Sequence, residues 1–142
     1  MRYSQATNYA LHTMLYFVAQ PPGTTIGLQH LARLQRLSPT YLSKILTRLV
    51  KAGLIDSTPG AHGGYTLAKD PAELSFLDVI QAIEGTAAAF HCGSGLQHDS
   101  CLIQQVILES EQQREEYLRT RKLVELVEGA SAWFQAREGS AA

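Results

Sequence analysis

Polar and basic side chains line one face of a helix that the sequence predicts from Pro39 to just before Gly53. Ser38 is a typical N-cap, and proline suits the first helical position. Apolar residues at i, i+3, i+4, i+7 and i+8 predict the buried stripe of this helix. The stripe comprises Leu42, Ile45, Leu46, Leu49 and Val50. The opposite side is therefore expected to present hydroxyl and cationic groups to a partner.

A helix of this kind fits the major groove of DNA, where the side chains of its first turn reach base edges. Basic side chains further along can bind phosphates, which adds affinity without sequence information. The predicted DNA contacts of the helix are Ser38, Thr40, Tyr41, Ser43, Lys44, Arg48 and Lys51. Base reading is expected from the first turn, and phosphate contacts from the three basic residues.

Two strand-like runs, residues 54–57 and 65–68, flank a glycine-rich stretch at residues 58–64. This order predicts a β-hairpin. Glycines at its tip let the backbone approach a sugar-phosphate chain, to which backbone N–H groups can donate. The predicted DNA contacts of the hairpin are His62, Gly63, Gly64 and Tyr65. The pattern alone leaves open an ordinary amphipathic helix and hairpin of another α+β protein.

The elements that must position these residues are mostly helical. Capping residues and apolar periodicity predict helices at residues 5–19, 28–35, 39–52, 76–84, 101–120 and 123–134. A helix, a short turn, a second helix and a glycine hairpin in this order are typical of a winged helix-turn-helix. The predicted fold class is therefore mainly α with a small β-hairpin wing, followed by a long C-terminal helix.

Charge is divided unevenly along the 142 residues. Residues 1–70 carry seven basic and two acidic side chains, whereas residues 71–142 carry five basic and eleven acidic ones. The asymmetry favours a nucleic-acid-facing first half, although chance segregation of surface charge is the alternative.

Several functional classes are disfavoured. No apolar run approaches the roughly 20 residues that cross a bilayer, and the N-terminus has no signal-peptide pattern. A cytoplasmic location without membrane contact is therefore expected. The chain has no nucleophile elbow, phosphate loop or paired-carboxylate motif, so we expect no enzyme.

Four segments resemble, in the correct order, the signature blocks of the Rrf2 family of bacterial winged-helix regulators, which includes IscR-like and NsrR-like proteins. The segments are residues 37–46, 52–55, 63–68 and 78–85. The resemblance implies a homodimer that binds operator DNA, with the long helix from about Cys101 crossing onto the partner subunit. The expected domains are residues 1–85 for DNA binding, 86–100 for a cysteine-containing sensor loop, 101–138 for dimerisation helices and 139–142 for a disordered tail.

Two departures from the family pattern concern DNA reading. Family wings commonly carry an arginine where Pro59 stands, and some relatives have a base-reading glutamate or glutamine at Ser43. We therefore expect an operator preference of its own. An interaction module that kept the fold and lost DNA reading is the alternative.

The resemblance also bears on signal sensing. Cluster-binding members place three cysteines before the long helix, whereas this chain has two, Cys92 and Cys101, which match the first and third. Gln104 stands where IscR-type proteins have a histidine ligand. His12 matches a histidine ligand of one redox-sensing branch, and Asn8 replaces an acidic ligand.

Three sensing mechanisms remain open. The first is a [2Fe–2S] cluster on Cys92, Cys101 and His12. Weaker ligand candidates are Asn8, His91 and His98. The second is a thiol switch, in which the two cysteines form a disulfide or react singly, with Cys101 favoured by the positive end of the long helix. The third is control by a small molecule or protein that uses neither cysteine.

Overall fold

The computed structural model describes residues 2–87, Phe90 and residues 101–141. Helix α1 (Gln5–Ala19) begins at Ser4, whose side chain accepts a hydrogen bond from the Thr7 backbone N–H at 3.3 Å. The helix has buried residues on most sides, as its nearly continuous apolar sequence predicts. They are Thr7, Ala10, Thr13, Met14, Tyr16, Phe17 and Val18. Helix α1 is therefore a centre around which other elements pack.

The helix-turn-helix consists of α2 (Leu28–Gln35) and α3 (Pro39–Lys51). Ser38 caps α3 by accepting a hydrogen bond from the Tyr41 backbone N–H at 3.2 Å. The apolar stripe of α3 is buried except for half-buried Val50. Its buried members are Leu42, Ile45, Leu46 and Leu49. The predicted start of α3 and its buried side are confirmed.

Strands β1 (Ile55–Thr58) and β2 (Gly64–Leu67) form the antiparallel hairpin that the sequence predicts. Ile26 pairs with Tyr65 through two backbone hydrogen bonds of 2.9 Å, so the segment before α2 lies against β2. The predicted fold class, a winged helix-turn-helix followed by a long helix, is confirmed.

Helix α4 (Phe76–Glu84) begins with a reciprocal capping box. The Ser75 hydroxyl accepts from the Asp78 N–H, and the Asp78 carboxylate accepts from the Ser75 N–H, both at 3.0 Å. Lys69 Nζ also donates to this carboxylate at 2.9 Å. Partial burial raises the pKa of Asp78, but the hydrogen bonds and the Lys69 charge outweigh it, so the pKa lies below its ordinary value.

Helix α5 (Leu102–Thr120) is followed by a 3₁₀ helix (Leu123–Leu126) and α6 (Val127–Ala141). After α5 the chain returns to the start of α4. There Phe76 N–H donates to the Arg121 carbonyl and Leu123 N–H donates to the Leu74 carbonyl, both at 3.0 Å.

The last helix differs from expectation. The sequence pattern ends the final amphipathic segment at Phe134, whereas α6 continues to Ala141. The reason is tertiary, because Arg137 and Glu138 bond to groups on α2 and α1.

The hydrophobic core lies between the helices. Helix α1 contacts α3, α4, α6 and the 3₁₀ helix, and α4 also packs on α3 and α5. Fully buried core side chains include Met14, Leu31, Leu42, Leu46, Leu49, Ile55, Leu74, Val79 and Leu123. Within the described residues, every helix is too short or too polar to span a bilayer.

Candidate nucleic-acid interface

The first turn of α3 presents the side chains that the sequence proposes for base reading. Thr40 and Lys44 are exposed, and Tyr41 is 39% exposed. The Ser43 hydroxyl donates to the Thr40 carbonyl at 2.9 Å, so its proton is engaged within the helix. The structure thus brings these residues together on one accessible surface at the start of α3.

Tyr41 packs against a residue that the sequence did not indicate. The ring of Tyr9, on α1, meets the Tyr41 ring edge to face, with centroids 6.0 Å apart and planes at 89°. This geometry is favourable for aromatic pairs and restricts the orientation of Tyr41. No local sequence signal links two tyrosines that meet only because α1 lies beside α3.

The three basic residues of α3 have different surroundings. Lys44 and Lys51 are exposed. Arg48, also exposed, directs Nη1 toward the Ile83 carbonyl at 3.5 Å, near the C-terminus of α4. A cation is favourable at that end of a helix. Arg48 therefore has a contact within the chain that the sequence did not indicate.

A carboxylate at the end of α4 holds the start of α1. Glu84 Oε1 accepts hydrogen bonds from the Ser4 N–H at 3.2 Å, the Ser4 hydroxyl at 2.7 Å and the Thr7 hydroxyl at 2.9 Å. The hydrogen bond from the Ser4 hydroxyl, together with the other two bonds, holds the pKa of Glu84 below its ordinary value. Sequence reasoning missed this junction because its partners are about eighty positions apart.

The wing glycines are needed for close packing, that of Gly63 within the hairpin and that of Gly64 against Ile26. A Cβ atom on Gly63 would lie 2.1 Å from the Thr58 carbonyl oxygen, and one on Gly64 would lie 2.7 Å from the Ile26 carbonyl oxygen. Real Cβ atoms essentially never approach so closely, so a side chain at either position would force the backbone to shift. The sequence assigned these glycines to backbone approach toward DNA, but the internal contacts are a sufficient reason for both.

The remaining wing residues are placed as follows. His62 and Pro59 are exposed, next to the hairpin turn. The backbone N–H and C=O of half-buried Tyr65 are both paired with Ile26, so only its side chain remains for a partner.

Cys101 is the N-cap residue of α5. Its Sγ accepts a hydrogen bond from the Gln104 N–H at 3.4 Å, and its side chain is half-buried. Gln104 is 9% exposed. The position agrees with the expected start of the long helix.

His12 is half-buried on α1. Its Nδ1 lies 2.8 Å from the Asn8 carbonyl, and its ring lies against Trp133 of α6 with centroids 5.4 Å apart. Because a carbonyl only accepts, this hydrogen bond needs a proton on Nδ1, and in the neutral ring Nε2 then keeps its lone pair. The Asn8 side chain is exposed.

The proposed ligands do not form a metal site in the part of the chain that the structure describes. Among those residues, no three His, Cys, Asp or Glu side chains are grouped so that they could hold a metal ion. The other ligand candidates, Cys92, His91 and His98, lie outside the described residues.

The family model Rrf2, described as an iron-dependent transcriptional regulator, matches residues 3–129. The putative HTH-type transcriptional regulator YwgB of Bacillus subtilis is 30% identical over 129 residues, which is 87% of this chain and 82% of that protein. In other curated relatives the aligned part spans about three fifths of their length.

Solved structures resemble the chain over most of its length. T. potens IscR is 30% identical, with a TM-score of 0.72, and the match covers 92% of this chain and 88% of that one. The oxidized form of Staphylococcus aureus CymR is 27% identical, with a TM-score of 0.69 and coverage of 90% and 97%.

Proposed function

Since the chain belongs to the Rrf2 family of DNA-binding transcriptional regulators, we propose that it binds operator DNA as a homodimer and reads bases with α3. The exposed first two turns of α3, with Thr40, Tyr41 and Lys44, are the observation that carries this proposal. Its relatives are transcriptional regulators and not enzymes. We propose that this regulator acts in the cytoplasm.

The full set of proposed DNA contacts keeps the predicted residues. They are Ser38, Thr40, Tyr41, Ser43, Lys44, Arg48, Lys51, His62, Gly63, Gly64 and Tyr65. Ser38 acts through its cap, which places the first turn of α3, and the glycines act through the shape of the wing. Pro59 at the turn supports an operator preference that differs from those of relatives with arginine there.

The homodimer is supported by an apolar surface on the first half of α5. Leu102, Ile103 and Val106 are 74%, 69% and 64% exposed. Three large apolar side chains within about one helical turn form a patch of the kind that marks interfaces. A second copy of the same helix is the proposed occupant, which would place the two α3 helices on successive half-sites.

DNA binding is tested by fluorescence anisotropy with a duplex from the region upstream of the chain's own gene. Lys44→Ala should weaken binding across sequences and reduce the slope of log K against log salt by about one, because one phosphate contact is lost. Arg119→Ala, on α5, is the charge-matched control. Unchanged affinity and salt slope in Lys44→Ala would show that α3 has been placed wrongly.

We further propose that Cys92 and Cys101 make the regulator responsive to iron–sulfur status or redox state. The family's description as iron-dependent supports this, as does the His12 hydrogen bond, which directs Nδ1–H to a carbonyl and keeps Nε2 for a ligand role. The described residues alone do not complete a site. Any cluster therefore needs Cys92 or groups of the partner subunit in addition to Cys101 and His12.

The cluster form predicts coloured protein after anaerobic purification, with iron and sulfide bound and visible absorption lost in Cys101→Ala. Cys92→Ala should behave alike, whereas His62→Ala, an exposed histidine of the wing, should keep the colour. A colourless preparation without iron after reconstitution rules the cluster out.

The thiol-switch form predicts a different result. Added peroxide would take two electrons and two protons from the two thiols, forming a disulfide and water, and dithiothreitol would reverse the resulting change in DNA affinity. If the cluster has also been ruled out, an unchanged affinity in peroxide would leave control by a small molecule or protein as the remaining mechanism.

A further inference from the structure

The C-terminal helix α6 lies mostly beyond the segment that matches the family model, yet it packs on the helix-turn-helix side of the molecule. Phe134 is 4% exposed and meets the Tyr16 ring at 72°, with centroids 5.2 Å apart. This buried aromatic contact anchors α6 on α1. The residues that follow Phe134 reach α2.

The end of α2 is built on a strained residue. Leu37 N–H donates to the Ala32 carbonyl at 2.9 Å and Arg36 N–H donates to the Arg33 carbonyl at 3.2 Å, as in a Schellman turn. The left-handed position of this turn, with φ 57° and ψ 46°, is occupied by Arg36. A side chain other than glycine costs about 1 kcal/mol there. The turn leads directly to Ser38, the cap of the recognition helix.

Arg137 binds this turn from outside. Its Nε donates to the Leu34 carbonyl at 3.0 Å, and its guanidinium lies over the Trp133 ring, 5.0 Å from the centroid. The carbonyls of Ala32 and Arg33 are engaged by the turn itself, and Leu34 supplies the next one. A cation here also interacts favourably with the C-terminal end of the α2 dipole.

Glu138 fastens the same helix to α1 and α2 together. The Tyr16 hydroxyl donates to the Glu138 carboxylate and lies 2.9 Å from His30 Nε2. His30 Nε2 is 3.7 Å from the same carboxylate. Burial raises the pKa of Tyr16 above its ordinary value, and the Glu138 carboxylate raises it further, so the phenol stays a proton donor. The Tyr16 hydroxyl thus links Glu138 of α6 with His30 of α2.

We propose that Arg137 is a positioning residue for DNA recognition, which holds the α2–α3 turn and so sets the placement of Ser38 and the first turn of α3. In this view α6 works as part of the DNA-reading unit. The proposal rests on the proposed function, because the position of α3 matters only if α3 reads DNA.

The experiment compares full-length wild type, Arg137→Ala, Arg137→Lys and the control Arg119→Ala. Operator affinity, salt slope and hydrogen exchange of residues 33–41 are measured at a temperature where all are folded by circular dichroism. Arg137→Ala should bind operator about five-fold more weakly, which corresponds to about 1 kcal/mol, the net value of one hydrogen bond. Exchange of residues 33–41 should become faster, and the salt slope should stay that of wild type.

Each other outcome overturns a defined statement. If wild type does not bind the duplex from the region upstream of its own gene, the proposed function is refuted, and with it the proposed role of Arg137. Wild-type affinity in Arg137→Ala would refute the positioning role alone. A salt slope lower by about one would identify Arg137 as a direct phosphate contact instead. If Arg137→Ala does not fold, Arg137→Lys is used instead, because it keeps the charge and loses the planar guanidinium. It should also weaken operator binding, by less than about five-fold.

Discussion

Helices α3 and α5 both carry several large apolar side chains, but they bury them differently. In α3, Leu42, Leu46 and Leu49 are fully buried inside the chain. In α5, Leu102 and Ile103 remain about 70% exposed. An apolar stripe predicts that a helix face will be covered, but it does not say whether the same chain or a second copy covers it.

The largest effect is expected in α3. Leu46→Ala should reduce the free energy of unfolding by about 2–5 kcal/mol, because it removes a fully buried side chain and leaves a cavity. Urea denaturation followed by circular dichroism measures the change. Thr47→Ala, at the exposed neighbouring position, should change it by less than about 1 kcal/mol. Equal losses in both variants would contradict the described core.

A smaller effect, of a different kind, is expected in α5. Ile103→Glu should keep the fold of the subunit and raise the dimer dissociation constant about 30-fold, because a charge replaces a central apolar contact. Analytical ultracentrifugation measures the constant, and Gln113→Glu, exposed on the same helix, is the control. The proposed pairing of two α5 helices would be contradicted if the wild-type chain sediments as a monomer. It would also be contradicted if Ile103→Glu leaves the dissociation constant unchanged.

The smallest effect concerns α4, which packs on both α3 and α5. Asp78→Asn should cost about 1 kcal/mol at pH 7, because the charged cap and the Lys69 pair are weakened. The folded pKa of Asp78 lies below the ordinary 3.8, so its stabilisation is present above that pH and is lost as pH falls below it.

The measurement is the unfolding free energy of wild type and Asp78→Asn between pH 7 and pH 2.5. The difference between them should shrink below pH 3.8, the ordinary pKa of the carboxyl. Asp56→Asn, exposed on β1, is the control. A difference that stays constant down to pH 2.5 would show that the Asp78 charge does not stabilise the N-terminus of α4.

Much of the first half of the fold could be predicted because its signals are local. Ser38 and Pro39 indicate the start of α3 through the chemistry of the first turn, and the spacing of its leucines indicates the buried side. The glycines at 63 and 64 predicted the hairpin, although the clash of a Cβ with the Ile26 carbonyl shows a packing reason that lies outside the hairpin. Local pattern identified the element but not all of its contacts.

The sequence by itself determined the hairpin and most of the helices, because caps, apolar periodicity and glycine turns act over a few residues. The family was indicated separately, by four segments that resemble its signature blocks. Only the tertiary structure decided which distant groups meet. Glu84 holds Ser4 across 80 positions, and Arg137 holds the end of α2 across 103. Such contacts form only after the core has brought the helices together, so no local residue pattern in the sequence predicts them. For the same reason the apolar face of α5 was visible in the sequence, whereas its exposure emerged only once the rest of the chain had packed elsewhere.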